Sequence, residues 1–162
     1  EGGLLGKIEV EIVPGIPALA AAAALLGAPL MHDFAVVSLS DLLTPWDVIR
    51  SRIEAAARAD YVIVLYNPRS KRRNWQLTRA KEILLTFRNG STPVGIVKNA
   101  MREGQSVELA TLSDLDESQA DMLSILVVGN TQTRVRGEKM ITPRGYLQKY
   151  GARSKVQGAR ER

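Results

Sequence analysis

Tyr61-Val62-Ile63-Val64-Leu65-Tyr66 is the most informative segment of the chain for its architecture, because it is apolar throughout. An uninterrupted apolar run of this length predicts a central β-strand whose two faces are both covered by helices. The run then enters a polar loop over residues 67–74, which begins with Asn67-Pro68. The sequence therefore predicts a buried strand that ends in a polar loop.

A helix is predicted on each side of this strand along the chain. The first begins with Thr44 as a hydroxyl N-cap, Pro45 at the first helical position and Asp47 in the first turn. Its apolar face consists of Trp46, Ile49, Ile53 and Ala57. The apolar stripe of the second helix, which Gly90 ends, consists of Leu77, Ala80, Leu84 and Phe87. Each helix therefore has one face that can pack against a sheet.

Further strands and one more helix are expected towards the two ends of the chain. Ile8, Val10 and Ile12 alternate with glutamates, which predicts a half-buried strand ended by Pro14-Gly15. Pro17 then opens a helix over residues 18–26, and Gly27 stops it. The remaining extended segments are predicted at residues 34–39, 93–97, 107–112, 124–128 and 141–146. This alternation predicts a layered α/β domain with a mixed sheet of about five strands flanked by helices.

Composition narrows the class of protein. A chain of 162 residues with 45% hydrophobic content can bury one core, so we expect one domain over residues 1–146 and a basic, mobile tail over residues 147–162. Cysteine is absent, which excludes disulfides and thiolate metal sites and favours a cytoplasmic protein. We do not expect a metal site. The longest apolar run, residues 18–26, is far shorter than the roughly 20 residues that cross a bilayer.

The net charge of +5 is concentrated in two clusters. Arg69, Lys71, Arg72 and Arg73 contribute +4, and the residues after Tyr146 contribute another +4, so the rest of the chain carries −3. Aromatic residues make up only 5% of the chain. Nucleic-acid binders usually spread basic residues over a face and interleave aromatics, so we do not expect a nucleic-acid partner.

Four short segments carry a resemblance to a known family. They are Val13–Ile16 (VPGI), Leu65–Pro68 (LYNP), Val97–Ala100 (VKNA) and Ile141–Tyr146 (ITPRGY). Their order and approximate spacing are similar to those of the tetrapyrrole methylase superfamily. Together with residues 26–46, LGAPLMHDFAVVSLSDLLTPW, they resemble the precorrin-3B and cobalt-factor III methylases over residues 8–146.

The resemblance implies a function and an architecture. Members of this family have two α/β domains, hold S-adenosylmethionine in the cleft between them and usually act as homodimers. The chain resembles the second domain only, so we expect that an N-terminal domain is missing and that the natural N-terminus lies upstream. The implied reaction is methylation of carbon 17 of a precorrin-3B-type tetrapyrrole, with ring contraction, in cobalamin biosynthesis; whether the substrate carries cobalt is left open.

The resemblance also implies a set of cofactor contacts. A Thr-Ala pair at a helix start contacts the cofactor in the family, and its counterpart here is Pro17-Ala18. A helix N-terminus offers free N–H groups to a carboxylate, although proline removes one donor and the hydroxyl. The other expected cofactor contacts are Tyr66, Asn67, Pro68, Ala100 and Thr142. The alternative for Asn67-Pro68 is an ordinary turn.

Basic residues are the candidates for binding the substrate. Precorrins carry acetate and propionate arms, which arginine and lysine capture electrostatically. The expected substrate contacts are Arg69, Arg72, Arg73 and Arg144. The alternatives are a solvated loop for the first three and a salt bridge that locks the terminus for Arg144.

Acid–base candidates are His32, Asp33 and Asp41, although each also fits a structural role. Methyl transfer from a sulfonium mainly requires alignment in a site shielded from water, so neither a metal nor a covalent nucleophile is needed.

Two other functions stay open. The chain is then either a non-catalytic half that binds cofactor or tetrapyrrole or mediates dimerisation, or an RNA or protein methyltransferase that shares the fold.

Overall fold

The computed structural model describes residues 9–71 and 73–145 of the chain. Three α-helices and eight strands lie in this part of the sequence. The helices are α1 (Ala18–Leu26), α2 (Trp46–Arg58) and α3 (Gln76–Leu85). The strands are β1 (Gly27–Ala28), β2 (Phe34–Ser38), β3 (Val62–Tyr66), β4 (Pro93–Lys98), β5 (Ser106–Thr111), β6 (Ser124–Val128), β7 (Arg134–Arg136) and β8 (Lys139–Ile141).

The main sheet is mixed and has five strands in the order β2-β3-β6-β4-β5. Strands β2 and β3 are parallel, whereas β6 runs antiparallel to both of its neighbours, β3 and β4. The carboxyl ends of β2, β3 and β4 therefore lie at the same edge of the sheet as the first residue of β6. The expected α/β domain with a mixed sheet of about five strands is confirmed.

Helices cover both faces of the sheet. On one face α2 and α3 bury Ile53 and Leu84 against the side chains that β3 directs to that side, such as Leu65. On the other face α1 buries Leu26 against Val64. A Cβ atom at Gly95 of β4 would collide with the Leu26 side chain, so glycine at this position lets α1 approach the sheet closely. The predicted double coverage of β3 is confirmed.

A second sheet, with the strand order β1-β8-β7, holds the C-terminal end of α1 in place. Strand β1 directly follows α1 and pairs in parallel with β8, which in turn pairs with β7. This pairing places Met140 in the core beneath α1, and Lys139 donates from Nζ to the carbonyl oxygen of Leu25 at 2.7 Å. The extended piece predicted at residues 141–146 therefore starts earlier, at Lys139.

The strand predicted around Val10 and Ile12 is wrong for the residues that the structure describes. Residues 9–16 are irregular and pair with no strand in the described ranges, and Val10 and Ile12 are 73% and 89% exposed. An alternating pattern supplies one apolar face, but a strand also needs a neighbour for its backbone groups. Ile8, Tyr146 and the predicted tail lie outside the described residues.

The helix boundaries differ in detail from the prediction. Helix α2 begins at Trp46, with Pro45 as the N-cap residue, and no side chain caps it, so the proposed role of Thr44 is wrong. Helix α3 ends at Leu85, and Phe87 lies beyond it and is 37% exposed, because the chain already turns at this point. The guanidinium of Arg58 lies over the Phe87 ring, 5.8 Å from its centroid. None of the described helices has the length and apolar character that crossing a membrane demands.

Candidate functional site

A cavity of about 460 Å³ opens at the edge of the main sheet where β3 and β4 end and β6 begins. Its walls come from four segments of the chain. The lining residues are Ile16, Ala18 and Ala21 around the start of α1, Tyr66 and Asn67, residues 99–102, and residues 122–125. Ligands of open α/β sheets gather beyond the carboxyl ends of strands, and this cavity occupies such a place.

Three residues around the cavity have a backbone conformation that is rare for residues other than glycine. Asn67, Asn99 and Met101 all have positive φ angles, of 51°, 49° and 59°. The two asparagines are supported by their side chains, because Nδ2 of Asn67 donates to Oγ of Ser38 and Nδ2 of Asn99 donates to the carbonyl oxygen of Gly104. Such conformations persist where the surrounding structure enforces them, and they are frequent at ligand sites.

The start of α1 offers one free backbone donor to the cavity. Pro17 has no N–H group, and the N–H of Leu19 donates to Oη of Tyr66 at 2.9 Å. The N–H groups of Ala20 and Ala21 turn back to the carbonyl oxygen of Pro17. Within the described part of the chain, the N–H of Ala18 has no acceptor, and Ala18 lines the cavity. The expectation of several free amides is thus reduced to one.

Four of the expected cofactor contacts come together in this cavity, namely Ala18, Tyr66, Asn67 and Ala100. Pro17 and Pro68 adjoin lining residues but do not line the cavity themselves. Thr142 is fully buried elsewhere, and its Oγ1 lies 2.9 Å from Oγ1 of Thr133. Because Thr133 follows the last residue of β6, Thr142 lies towards the opposite edge of the sheet.

The basic loop after β3 is partly bonded to the protein. Nη1 of Arg69 donates to the carbonyl oxygen of Glu117 at 3.1 Å. Arg73 donates to the carbonyl oxygen of Asn67 at 3.0 Å, which brings its guanidinium to the rim of the cavity. Arg144 is exposed, and Arg72 lies outside the described residues. The loop therefore adjoins the cavity through Arg73, whereas Arg144 follows Thr142 and lies away from the cavity.

The acid–base candidates separate into two places. His32 and Asp33 precede β2, at the edge of the sheet opposite the cavity, and Nδ1 of His32 accepts a hydrogen bond from the N–H of Asp33. Asp41 follows β2 on the same edge as the cavity, where its Oδ2 accepts from Nε2 of the buried Gln76 at 2.7 Å. His32, Asp33 and Asp41 do not line the cavity.

Comparison with known proteins assigns the chain to a family. Residues 5–116 match the family model described as Tetrapyrrole (Corrin/Porphyrin) Methylases. The chain belongs to the tetrapyrrole methylase family. The match covers more than half of the chain and includes three of the four segments on which the resemblance was based. The resemblance to this family is therefore confirmed.

Individual proteins of this family resemble the chain to different degrees. The chain is 54% identical over 139 residues to a probable cobalt-factor III C(17)-methyltransferase of Salmonella typhimurium, covering 86% of this chain and 58% of the relative. It matches the crystal structure of the methyltransferase CobJ with a TM-score of 0.79 at 40% identity, over 83% of this chain and 56% of that one. A uroporphyrin-III C-methyltransferase of Thermus thermophilus complexed with S-adenyl homocysteine matches with a TM-score of 0.50 at 26% identity, over 78% and 55%. The chain thus spans a little over half the length of each.

Sequence reasoning missed one segment of the candidate site, residues Asp121 to Ser124. Its Asp121 carboxylate lies 2.5 Å from Nζ of Lys98 and accepts from the N–H of Leu123 and from Oγ of Ser124. These bonds hold Met122 and Leu123 in the cavity wall. The signal in the sequence is the Asp-x-x-Ser pattern that ends at the first residue of a strand, which is typical of a turn closed by an aspartate side chain.

The Asp121 carboxyl carries a perturbed pKa. Partial burial raises this pKa, but the hydrogen bonds from Lys98, Leu123 and Ser124 and the charge of Lys98 outweigh it and hold the pKa below its ordinary value of 3.8. A carboxyl whose pKa is lower in the folded than in the unfolded state stabilises the fold above its unfolded pKa. That contribution is lost as the pH falls through the lowered value.

A pH-dependent effect of Asp121→Asn follows in this tetrapyrrole methylase. The variant is expected to be less stable than the parent at pH 7, and the difference should shrink as the pH falls below about 4, because the parent then loses its charged carboxylate. Urea unfolding midpoints between pH 7 and about 3 measure it. Lys98→Met removes only the part that Lys98 supplies, so its pH-dependent loss should be smaller than that of Asp121→Asn, because the bonds from Leu123 and Ser124 remain. A difference that is independent of pH would contradict the assignment.

Proposed function

We propose that the chain is the C-terminal, cofactor-contacting part of a methyltransferase that uses S-adenosylmethionine to methylate carbon 17 of a precorrin-3B-type tetrapyrrole, with ring contraction, in cobalamin biosynthesis. The observation that carries the proposal is the convergence of Ala18, Tyr66, Asn67 and Ala100 on one cavity. The activity for which the Salmonella relative is named and the likeness to the CobJ structure support this reaction.

The composition of the cavity fits S-adenosylmethionine. A volume of about 460 Å³ lies within the range of small-molecule sites. Ile16, Ala21 and Ile125 offer apolar surface to the adenine and the methionine stem, and Asn67 offers polar groups to the ribose. The free N–H of Ala18 at a helix N-terminus suits the methionine carboxylate. The complex of a structural neighbour with S-adenyl homocysteine supports the same class of ligand.

The residues of this chain contribute binding, orientation and exclusion of water. When bound, the cofactor supplies a methyl group on a positively charged sulfur. Asn67 and the segment after β4 would hold the cofactor in place, and such positioning would favour an in-line displacement. Met101, Met122 and Leu123 form an apolar rim whose side chains are at least half open to solvent in this chain. In the proposal, the substrate and protein outside this chain cover that rim.

The substrate's carboxylates are assigned to the basic side chains near the cavity. Arg69 belongs to the loop that adjoins the cavity, and one of its guanidinium nitrogens is bonded to the carbonyl oxygen of Glu117. In the proposal its positive charge draws a polycarboxylate to this sheet edge. Arg144 is exposed and follows Thr142, away from the cavity, so it is not assigned to the substrate here. No proton transfer is assigned to His32 or Asp33, because both lie at the opposite edge.

A second candidate function is binding without turnover, with the chain holding cofactor or tetrapyrrole or forming the contact of a homodimer. The observation that favours it is the length of the chain, which spans 58% of the Salmonella relative. A cavity with an open apolar rim binds weakly until another surface closes it. The two candidates differ in whether methyl transfer follows binding.

Titration with S-adenosylhomocysteine, together with an assay of methyl transfer, separates the candidates. We expect the protein encoded by the complete gene to bind it with a Kd of about 1–10 μM and this chain to bind at least about 100-fold more weakly, because half of the contacts are absent. Isothermal calorimetry on both proteins measures this. Equal affinity of the complete protein and of this chain would contradict the proposal that protein outside this chain completes the cavity. Failure of the complete protein to bind the ligand or to add a methyl group to a precorrin would contradict the function itself.

A further inference from the structure

Arg73 lies in the basic loop after β3, but its guanidinium is directed towards protein atoms. Nη2 donates to the carbonyl oxygen of Asn67 at 3.0 Å and lies 3.2 Å from Sδ of Met122. Nη1 lies 3.4 Å from Oγ of Ser40, and Nε is buried without an acceptor among the described residues. The side chain is therefore not displayed as a free charge.

Three loops of the chain meet at this guanidinium. Ser40 belongs to the loop after β2, Asn67 directly follows β3, and Met122 precedes β6. Asn67 and Met122 both line the cavity, whereas Arg73 itself does not. One side chain outside the cavity thus connects two separate parts of its wall.

The backbone of Asn67 is held by two bonds. Its φ angle of 51° lies in the left-handed region, which few residues other than glycine adopt, although asparagine does so more readily than most. Its side-chain amide donates to Oγ of Ser38 at 3.0 Å, and its carbonyl accepts from Arg73. When the bond to Arg73 is removed, the peptide that follows Asn67 is free to rotate towards a more ordinary conformation.

We propose that Arg73 is a positioning residue, which fixes Asn67 and Met122 at the cofactor cavity and does not capture the carboxylates of the substrate. The inference rests on the proposed function, because it gives the cavity to S-adenosylmethionine. A planar guanidinium reaches acceptors in several directions at once, whereas the ammonium of lysine is a compact centre on a flexible stem. Lysine at position 73 keeps the charge and loses the connection.

Hydrogen exchange tests the positioning role in this chain without any ligand. The amides of Leu39 and Leu123 report on two of the connected loops, because they donate to Tyr66 and Asp121. Arg73→Gln and Arg73→Lys are both expected to speed their exchange by about tenfold or more. Lys71→Gln, an exposed change in the same loop, should leave it unaltered.

The amides of the central strands β3 and β6 show in the same experiment that each variant keeps its fold. Should the glutamine variant disturb those amides, the lysine variant serves for the comparison. Unchanged exchange of Leu39 and Leu123 in a folded Arg73 variant would overturn the inference.

Steady-state kinetics of the protein encoded by the complete gene distinguish positioning from substrate capture. Both Arg73 variants are expected to raise the KM for S-adenosylmethionine by about tenfold and to leave the KM for the tetrapyrrole within about twofold. A raised tetrapyrrole KM that lysine restores would overturn the inference and give Arg73 to the substrate. Absence of methyl transfer in the parent would refute the proposed function, while the exchange experiment still decides the role of Arg73.

Discussion

Replacement of Arg88 by methionine is expected to lower the free energy of unfolding by about 3 kcal/mol, near the lower end of the range for breaking a buried ion pair. The Arg88 side chain is 1% exposed and pairs with the carboxylate of Asp60. It also donates to the carbonyl oxygens of Tyr61 and Gly129. Burial lowers the pKa of Arg88 and the charge of Asp60 opposes this, so the side chain stays charged.

The Arg88 effect is expected to be large because several elements depend on the same group. Asp60 has a φ angle of 57° at the turn between α2 and β3, and it also accepts from the N–H and Oγ1 of Thr131 after β6. Without Arg88, this carboxylate and two backbone carbonyls lose their shared donor. The lower end of the range applies because the side chain of Asp60 is 39% exposed.

Urea unfolding of Arg88→Met measures this effect, and Arg79→Met is the matched control. Arg79 also pairs with a carboxylate, at 2.7 Å from Glu82, but both side chains are more than half exposed. Its loss is expected to cost no more than about 0.5 kcal/mol, as for an i,i+3 pair on a helix surface. Equal losses for the two variants would show that the Arg88 cluster does not hold these elements together.

The second large effect is expected from Ala100→Trp, which should weaken binding of S-adenosylhomocysteine by the complete protein at least about 100-fold, or about 2.7 kcal/mol. Ala100 lines the cavity between two residues with positive φ angles, so the loop has little freedom to move an indole aside. The added ring then occupies the space that the proposal gives to the cofactor. Calorimetric titration measures the loss.

Glu103→Trp is the control for Ala100→Trp, because Glu103 is exposed in the same loop and does not line the cavity. Its affinity should stay within about twofold of the parent. Thermal unfolding of both variants shows whether either change disturbs the fold. Normal affinity in a folded Ala100→Trp variant would mean that S-adenosylmethionine binds elsewhere.

The sequence predicted those elements whose buried faces appear as a local pattern of apolar residues. Strand β3 was recognisable because both of its faces are buried, and a short run that is apolar on both faces is typical of a covered central strand. The faces of α2 and α3 followed from helical spacing, except for Phe87, where the helix had already ended. Val10 and Ile12 show the limit, because alternation predicts a strand whether or not a neighbouring strand exists.

The candidate site was predictable at the ends of parallel strands and, through the resemblance, at Ala18 at the start of α1. Asn67 and Ala100 follow β3 and β4, and the resemblance pointed to the same positions. The loop before β6 was missed because only the antiparallel placement of β6 brings its first residue to this edge, and strand order cannot be read from a local pattern. The orientation of Arg73 was missed for a related reason, since a cluster of charges does not show which member turns inward.

The pairing of β1 with β8 has a consequence for the order in which the protein matures. Residues 27 and 28 follow α1 near the start of the described chain, but their partners are Met140 and Ile141 near its end. During synthesis on the ribosome, α1 can contact Val64 and Val97 early, but its contact with Met140 can form only after residue 140 has emerged. The end of α1 that leads into β1 therefore gains its strand pairing only when translation of the described chain is nearly complete.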